Sequence, residues 1–139
     1  MVEFKCVIST KDGKSYQKEI KSPEADVLAK KKLGDTVSGD EMGFSGYEFE
    51  ITGGSDKCGF PMRKGVQAAR KKVFISGGVG FCGKNRNNKK QKGLNKRRTV
   101  CGERITSIIR QVNLKAVKEG AQPLGEAPAV AVPAEEPKQ

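Results

Sequence analysis

The sequence predicts a mainly β protein: a small β-barrel with one short helix, a long basic arm and a disordered C-terminal tail. Three observations carry that prediction. Short runs of alternating apolar and polar residues recur between glycine-rich turns, the pattern of half-buried strands in a small barrel. The internal stretch from Gly77 to Gly102 is rich in Gly, Asn and Lys and far longer than an ordinary connection. Residues 121–139 are Ala, Pro and Glu-rich with no periodicity and cannot bury enough apolar surface to order themselves. The chain of 139 residues therefore divides into one domain over 1–120, carrying an arm at 77–102, and a tail at 121–139.

The elements follow in order. Val2 to Thr10 alternates, with Val2, Phe4, Cys6 and Ile8 on one face. Asp12-Gly13 is a hairpin turn signal, and Lys14 to Ile20 returns as the partner strand. Ser22-Pro23-Glu24 reads as a helix start, with a capping hydroxyl, proline in the first turn and an acid at the positive end of the dipole. Val27, Leu28 and Leu33 supply that helix with an apolar side, and Gly34 ends it. Thr36 to Gly46 is turn-rich. Tyr47 to Thr52 alternates cleanly and is broken by Gly53-Gly54-Ser55-Asp56, and Lys72 to Ser76 is a further strand. Ile105 to Val117 fits both helical and strand spacing; a turn near Thr106-Ser107 followed by a strand is the favoured reading.

The charge is unevenly spread. The chain is formally +11, yet residues 1–56 hold eight cations against eleven acids. Residues 57–104 hold fifteen Lys or Arg and a single acid, Glu103. From Lys84 to Arg98 there are eight cations, no acid and one apolar residue, Leu94. Such a ribbon repels itself and becomes compact only against a dense polyanion; nucleic acid fits, because neutralised phosphates release condensed counterions. No window approaches a membrane span and the N-terminus has no secretory pattern, so the expectation is an intracellular protein with no membrane partner and with reduced thiols.

Other chemistries fare poorly. The chain has no histidine, which removes the most versatile general base and the commonest neutral metal ligand. Gly78-Val-Gly80-Phe-Cys-Gly83 matches a dinucleotide fingerprint, but Lys84 to Lys92 offers no apolar residue to pack the helix that should follow. As a phosphate-binding P-loop the same stretch lacks the Ser or Thr after Gly83-Lys84. The chain is therefore read as a non-enzyme with no cofactor and no small-molecule substrate. No Cys-x-x-Cys pair exists, so no metal is assigned; Cys58, Cys82 and Cys101 lie in or beside glycine-rich loops and are the one cluster that could converge on an ion.

At this point the residues resemble a family. Ile51-Thr-Gly53-Gly54-Ser-Asp56-Lys-Cys-Gly59-Phe-Pro61-Met62 is similar to the signature of the small-subunit ribosomal protein six of archaea and eukaryotes. The likeness extends to Gly34-Asp35, Gly46-Tyr47, Ser76-Gly-Gly-Val-Gly-Phe81 and Arg98-Thr-Val-Cys-Gly102, and spans roughly residues 2–118. The chain stops soon after Gly120, as in the short archaeal form, without the long C-terminal helix of eukaryotic members. The resemblance implies a β-barrel, strand rather than helix over Val112 to Val117, and a structural constituent of the small ribosomal subunit with no catalytic activity. Its implied partners are small-subunit ribosomal RNA and neighbouring ribosomal proteins. The chain departs from the family's arginine-rich arm at Cys82 to Lys92, where Cys82 stands in place of a basic residue, as Cys101 does further on.

Roles are assigned by position. Lys57, Arg63, Lys64, Arg70, Lys71 and Lys72 form a basic rim, joined by Arg104. Lys84, Arg86, Lys89, Lys90, Lys92, Lys96, Arg97 and Arg98 belong to the arm that threads between RNA helices. Gly53, Gly54 and Gly59 permit positive φ or close backbone approach, Pro61 fixes a turn, and Asp56 shapes its loop by accepting neighbouring amides. Phe60 and Phe81 are read as core packing, with stacking on a base as the alternative. The competing reading is a free-standing RNA-binding chaperone or architectural module, including a metal-stabilised form.

Overall fold

The computed structural model describes residues 3–120 together with Leu124. Seven strands dominate: β1 (Glu3–Ser9), β2 (Ser15–Lys21), β3 (Thr36–Ser38), β4 (Glu48–Asp56), β5 (Arg70–Ile75), β6 (Lys96–Cys101) and β7 (Ile109–Lys118). Five form one sheet in the order β2-β1-β7-β4-β3, and β5 and β6 form a separate two-stranded hairpin. All neighbours are antiparallel except β1 and β7, which run parallel with Lys5 opposite Gln111 and Ser9 opposite Lys115.

Alternation places the core. Phe4, Cys6 and Ile8 of β1, Ile20 of β2, Phe49 and Ile51 of β4, and Val112, Leu114 and Ala116 of β7 all point into one buried cluster. The sheet curls around that cluster as a half-barrel. Three irregularities in the β4–β7 register, between Glu48 and Phe49, Ile51 and Gly53, and Ser55 and Asp56, supply the bend. The sheet does not close: β2 and β3 are its two edges. A second, smaller cluster of Val66, Ile75, Phe81 and Val100 lies under the β5–β6 hairpin, with Val73 and Leu94 packed against it.

Four sequence expectations change here. The helix expected after Ser22 is a single 3-10 turn, Glu24–Val27, and no side chain caps it. Lys30 takes φ 70, and the chain instead exchanges backbone bonds with 103–105: Lys30 donates to the Ile105 carbonyl (3.0 Å) and Ile105 to Lys31 (2.9 Å). Three consecutive lysines leave a longer helix nothing to bury, whereas a backbone partner was at hand. The strand expected to stop at Thr52 runs on through Gly53-Gly54-Ser55-Asp56, because β7 is ten residues long and pairs with it throughout. The short β3 was hidden in a turn-rich segment. Finally, the last part of the expected arm, Lys96–Cys101, is strand β6. Its Val100 is fully buried, and the charged ends of Lys96 and Arg98 lie over the Phe81 ring of the smaller cluster. Residues 77–95 are turns, with one bridge between Lys84 and Lys90. The expectation of a disordered tail lies outside the described residues apart from Leu124, which packs against the main core.

Candidate nucleic-acid interface

The twelve-residue block from Ile51 to Met62 is the joint between the main sheet and the basic hairpin. At its centre Asp56 is buried, its carboxylate fully shielded from solvent. Oδ1 accepts the Cys58 N–H (2.9 Å) and the Phe60 N–H (2.8 Å), closing the loop after β4. Oδ2 accepts from the Arg70 guanidinium at the start of β5 and from the Cys101 thiol at the end of β6 (3.2 Å). One carboxylate thus ties the sheet to both strands of the hairpin. Burial pushes its pKa up, but the Phe60 amide, the Cys101 thiol, Arg70 and the Cys58 amide outweigh burial, and the net shift is downward. Arg70 also lies over the Phe60 ring, 5.1 Å from its centroid.

Backbone contacts extend the joint. Pro61 accepts from the Cys101 N–H (2.9 Å) and Arg63 donates back to the Cys101 carbonyl (3.1 Å), so 61–63 lies along β6 like a third strand. Gly54 is small for a reason: a Cβ there would sit 2.5 Å from the Gln111 carbonyl oxygen and 2.8 Å from the Met62 sulfur. Gly59 adopts φ +83 at the turn. At Gly53, by contrast, a Cβ would meet only the Asn113 amide at 3.7 Å. Gly54→Ala should destabilise the fold by about 1–3 kcal/mol, because the nearest obstacle is backbone of β7 and cannot rotate away. Denaturant titration of the variant checks this, and a midpoint equal to the parent's would show that the joint is not tightly packed.

The cations differ in their partners, and four of the six on the strands of the main sheet pair with acids. On the main sheet, Lys5 pairs with Glu19, Arg110 and Lys21 with Glu3, and Lys118 with Glu48. Of the fifteen cations between Lys57 and Arg104, Arg70 alone has a carboxylate partner among the described residues. Glu103, the one acid of that region, is turned to the backbone N–H of Gly65 (2.9 Å) and to Lys32 (4.0 Å). Lys57, Lys64, Lys71, Lys72 and Arg104 are exposed, and Arg63 is half-buried with its guanidinium donating to the Val79 carbonyl (2.7 Å). Lys84, Arg86, Lys89, Lys90 and Lys92 are all exposed on the turns 84–92. Arg97 and Arg98 are exposed on β6, while Lys96 is half-buried over the Phe81 ring at 5.4 Å. Charges without local partners are arranged around one hairpin, which makes that end of the molecule a focused positive field.

The cysteines do not gather. Cys6 and Cys101 are buried, Cys58 and Cys82 are exposed, and among the described residues no group of three or more acidic or Cys side chains is placed to hold an ion. Burial pushes the Cys6 thiol up to about 12, against the pull of Lys18. Burial and the neighbouring Asp56 push Cys101 up to about 11, against Arg70. Cys101 therefore serves as a neutral hydrogen-bond donor to Asp56. The Asp56–Arg70–Cys101 cluster is out of reach of sequence reading, because its other members lie fourteen and forty-five residues from Asp56 along the chain. The one available signal is that Asp56 is the last acid before the basic region and sits in a glycine-rich turn motif.

Fold and charge together define a basic, mainly β protein whose unpaired cations, among the described residues, concentrate around one hairpin. The family described as ribosomal protein S6e matches residues 4–128. A relative from Methanococcus maripaludis strain C6, "Small ribosomal subunit protein eS6", is 43% identical over 127 residues, covering 90% of this chain and 95% of the relative. The protein of the same name from Archaeoglobus fulgidus is 43% identical over 128 residues, again with 90% and 95% coverage, and that from Natronomonas pharaonis is 38% identical over 123 residues, with 88% and 91% coverage. The chain belongs to the ribosomal protein S6e family. That is a family of ribosomal proteins, not of enzymes.

Proposed function

We propose that the protein is a structural constituent of the small ribosomal subunit, working in the cytoplasmic ribosome, and that it holds ribosomal RNA through the β5–β6 hairpin, the turns between them and the adjoining rim. The observation that carries this reading is the cluster of fourteen cations, without acid partners among the described residues, around one hairpin, whereas four of the six cations on the strands of the main sheet, Lys5, Lys21, Arg110 and Lys118, are paired with acids. Names of relatives in the family support the ribosomal setting. The half-barrel acts as the rigid base, and the loop closed by Asp56 sets the direction in which the hairpin projects. Recognition rests on phosphate geometry and RNA shape, which exposed lysines and arginines on a twisted ribbon can match without reading base edges. Neighbouring ribosomal proteins are the expected contacts of the main sheet.

Sedimentation of lysate in magnesium tests the reading. The protein is expected to travel with the small subunit and to leave it only at high salt. A substantial pool at the top of the gradient would favour a free-standing RNA-binding module instead.

A further inference from the structure

Among the described residues the most exposed large apolar side chain is Phe74, at 76%. It stands on the outer face of β5, directly opposite Arg97 of β6, whose guanidinium carbon is 6.0 Å from the ring centroid. The strand period puts Lys72 on the same face, opposite Thr99. A cleft of about 380 Å³ opens beside it, lined by Lys72, Arg97, Arg98 and Thr99 with Phe60 and Pro61. The cleft has three cations and no acid, and it shares Lys72 and Arg97 with the aromatic platform. Phe60 and Phe81 take the core packing that the sequence reading favoured for them: Phe81 is buried in the smaller cluster and Phe60 packs against the main core under Arg70.

We propose that the outer face of the β5–β6 hairpin is a binding site for an unpaired nucleotide, its base stacked on Phe74 and its phosphate held in the cleft by Lys72, Arg97 and Arg98. The proposal rests on the RNA reading given above and names a site within it. An exposed phenyl ring with cations on either side matches the two parts of a nucleotide: a π-face for the base and charge for the backbone. A paired A-form helix does not suit this face, because its bases are stacked on one another and present no free π-face. An apolar protein partner fits less well, since covering the ring would desolvate the adjacent Lys72 and Arg97 without neutralising them.

The full chain, bound to a short unstructured RNA strand and to a blunt RNA duplex, supplies the test. Phe74→Ala should weaken single-strand binding about tenfold or more, the usual scale for a lost stacking ring, and leave duplex affinity within about twofold. The salt dependence should not change, because no charge is removed. The protein contains no tryptophan, so Phe74→Trp introduces a single reporter. It should bind the single strand as the parent does, with its emission quenched on binding. Equal losses on both RNAs, or unquenched emission with the strand bound, would overturn the site. So would quenching that requires ribosomal proteins rather than RNA alone. If the parent binds both RNAs and Phe74→Ala binds just as well, this site alone falls. If the parent binds neither RNA, the RNA reading itself falls.

Discussion

Replacing Lys84, Arg86, Lys89, Lys90 and Lys92 together by glutamine is expected to flatten the salt dependence of RNA binding by up to about four units of log–log slope. Each cation lost from a phosphate removes roughly 0.7 to 0.9 of slope, the counterion it would have displaced. A parent protein contacting about six to ten phosphates should lose roughly three to five decades of affinity between 50 and 200 mM salt. The five-residue variant should lose far fewer over the same range and bind more weakly at low salt. All five side chains are exposed and none has an acid partner among the described residues, so the thermal midpoint should hardly move. Filter binding over a salt series reads the slope. A slope equal to the parent's would remove the turns 84–92 from the contact surface and leave the β6 cations and the rim as the remaining candidates.

The structure shapes the form of that experiment. Excising the whole ribbon from Lys84 to Arg98 would take away half of β6, the strand that covers Ile75 and the smaller core. Loss of binding would then be confounded with loss of fold. The turns and the strand must be altered separately, because the cations of β6 stand on a backbone that β5 needs as its partner, the only one among the described residues.

The second large effect concerns Asp56. Asp56→Ala should cost about 2–4 kcal/mol, the scale for leaving several donors without their buried acceptor, with the half-exposed Arg70 adding little. Two loop amides, a thiol and a guanidinium lose their acceptor at once. Asp56→Asn keeps an oxygen for the amides and should cost less. The pH dependence follows from the sign of the shift. The native carboxyl is held below its ordinary value of 3.8, so its contribution is fully present above that value. It is lost as pH falls from there through the native pKa. Parent and Asp56→Asn should therefore differ by a constant amount near neutrality and converge in acid below about pH 4. Chemical denaturation across that range checks the prediction; a constant difference at every pH would mean that the carboxylate charge is not what the joint uses.

This joint also explains why a short block of sequence can be so restrictive without being catalytic. Gly54 lets β4 pass under β7, Gly59 makes the turn, and Asp56 fastens the loop to a hairpin that begins fourteen residues later and ends forty-five residues later. Each of these residues acts on the direction of the hairpin, and the hairpin carries the charge. A small change at the joint is therefore expected to tilt the whole basic face.

What the sequence alone determined is whatever depends on composition and short-range period. Alternation in Phe4-Cys6-Ile8 and Tyr47-Phe49-Ile51 marks an inward face because successive strand side chains must point to opposite sides. Segregation of charge needs no coordinates, nor does the likeness of Ile51 to Met62 to a ribosomal family, and both led to the interface. The tertiary structure decided everything that depends on partners distant in the chain. Lys96 to Cys101 reads locally as a cationic ribbon, and becomes a strand because β5 offers it a ladder and Val100 a place to be buried. Gly53-Gly54 reads locally as a break, and continues β4 because β7 lies alongside. Arg70 reads as one more exposed cation, and is paired by a carboxylate whose burial no window of sequence could show. Lys72 to Ser76 reads locally as a strand, and only the fold shows that the Phe74 ring on it stands in solvent. Period reports which face a residue takes, whereas pairing energy between remote segments selects which faces meet.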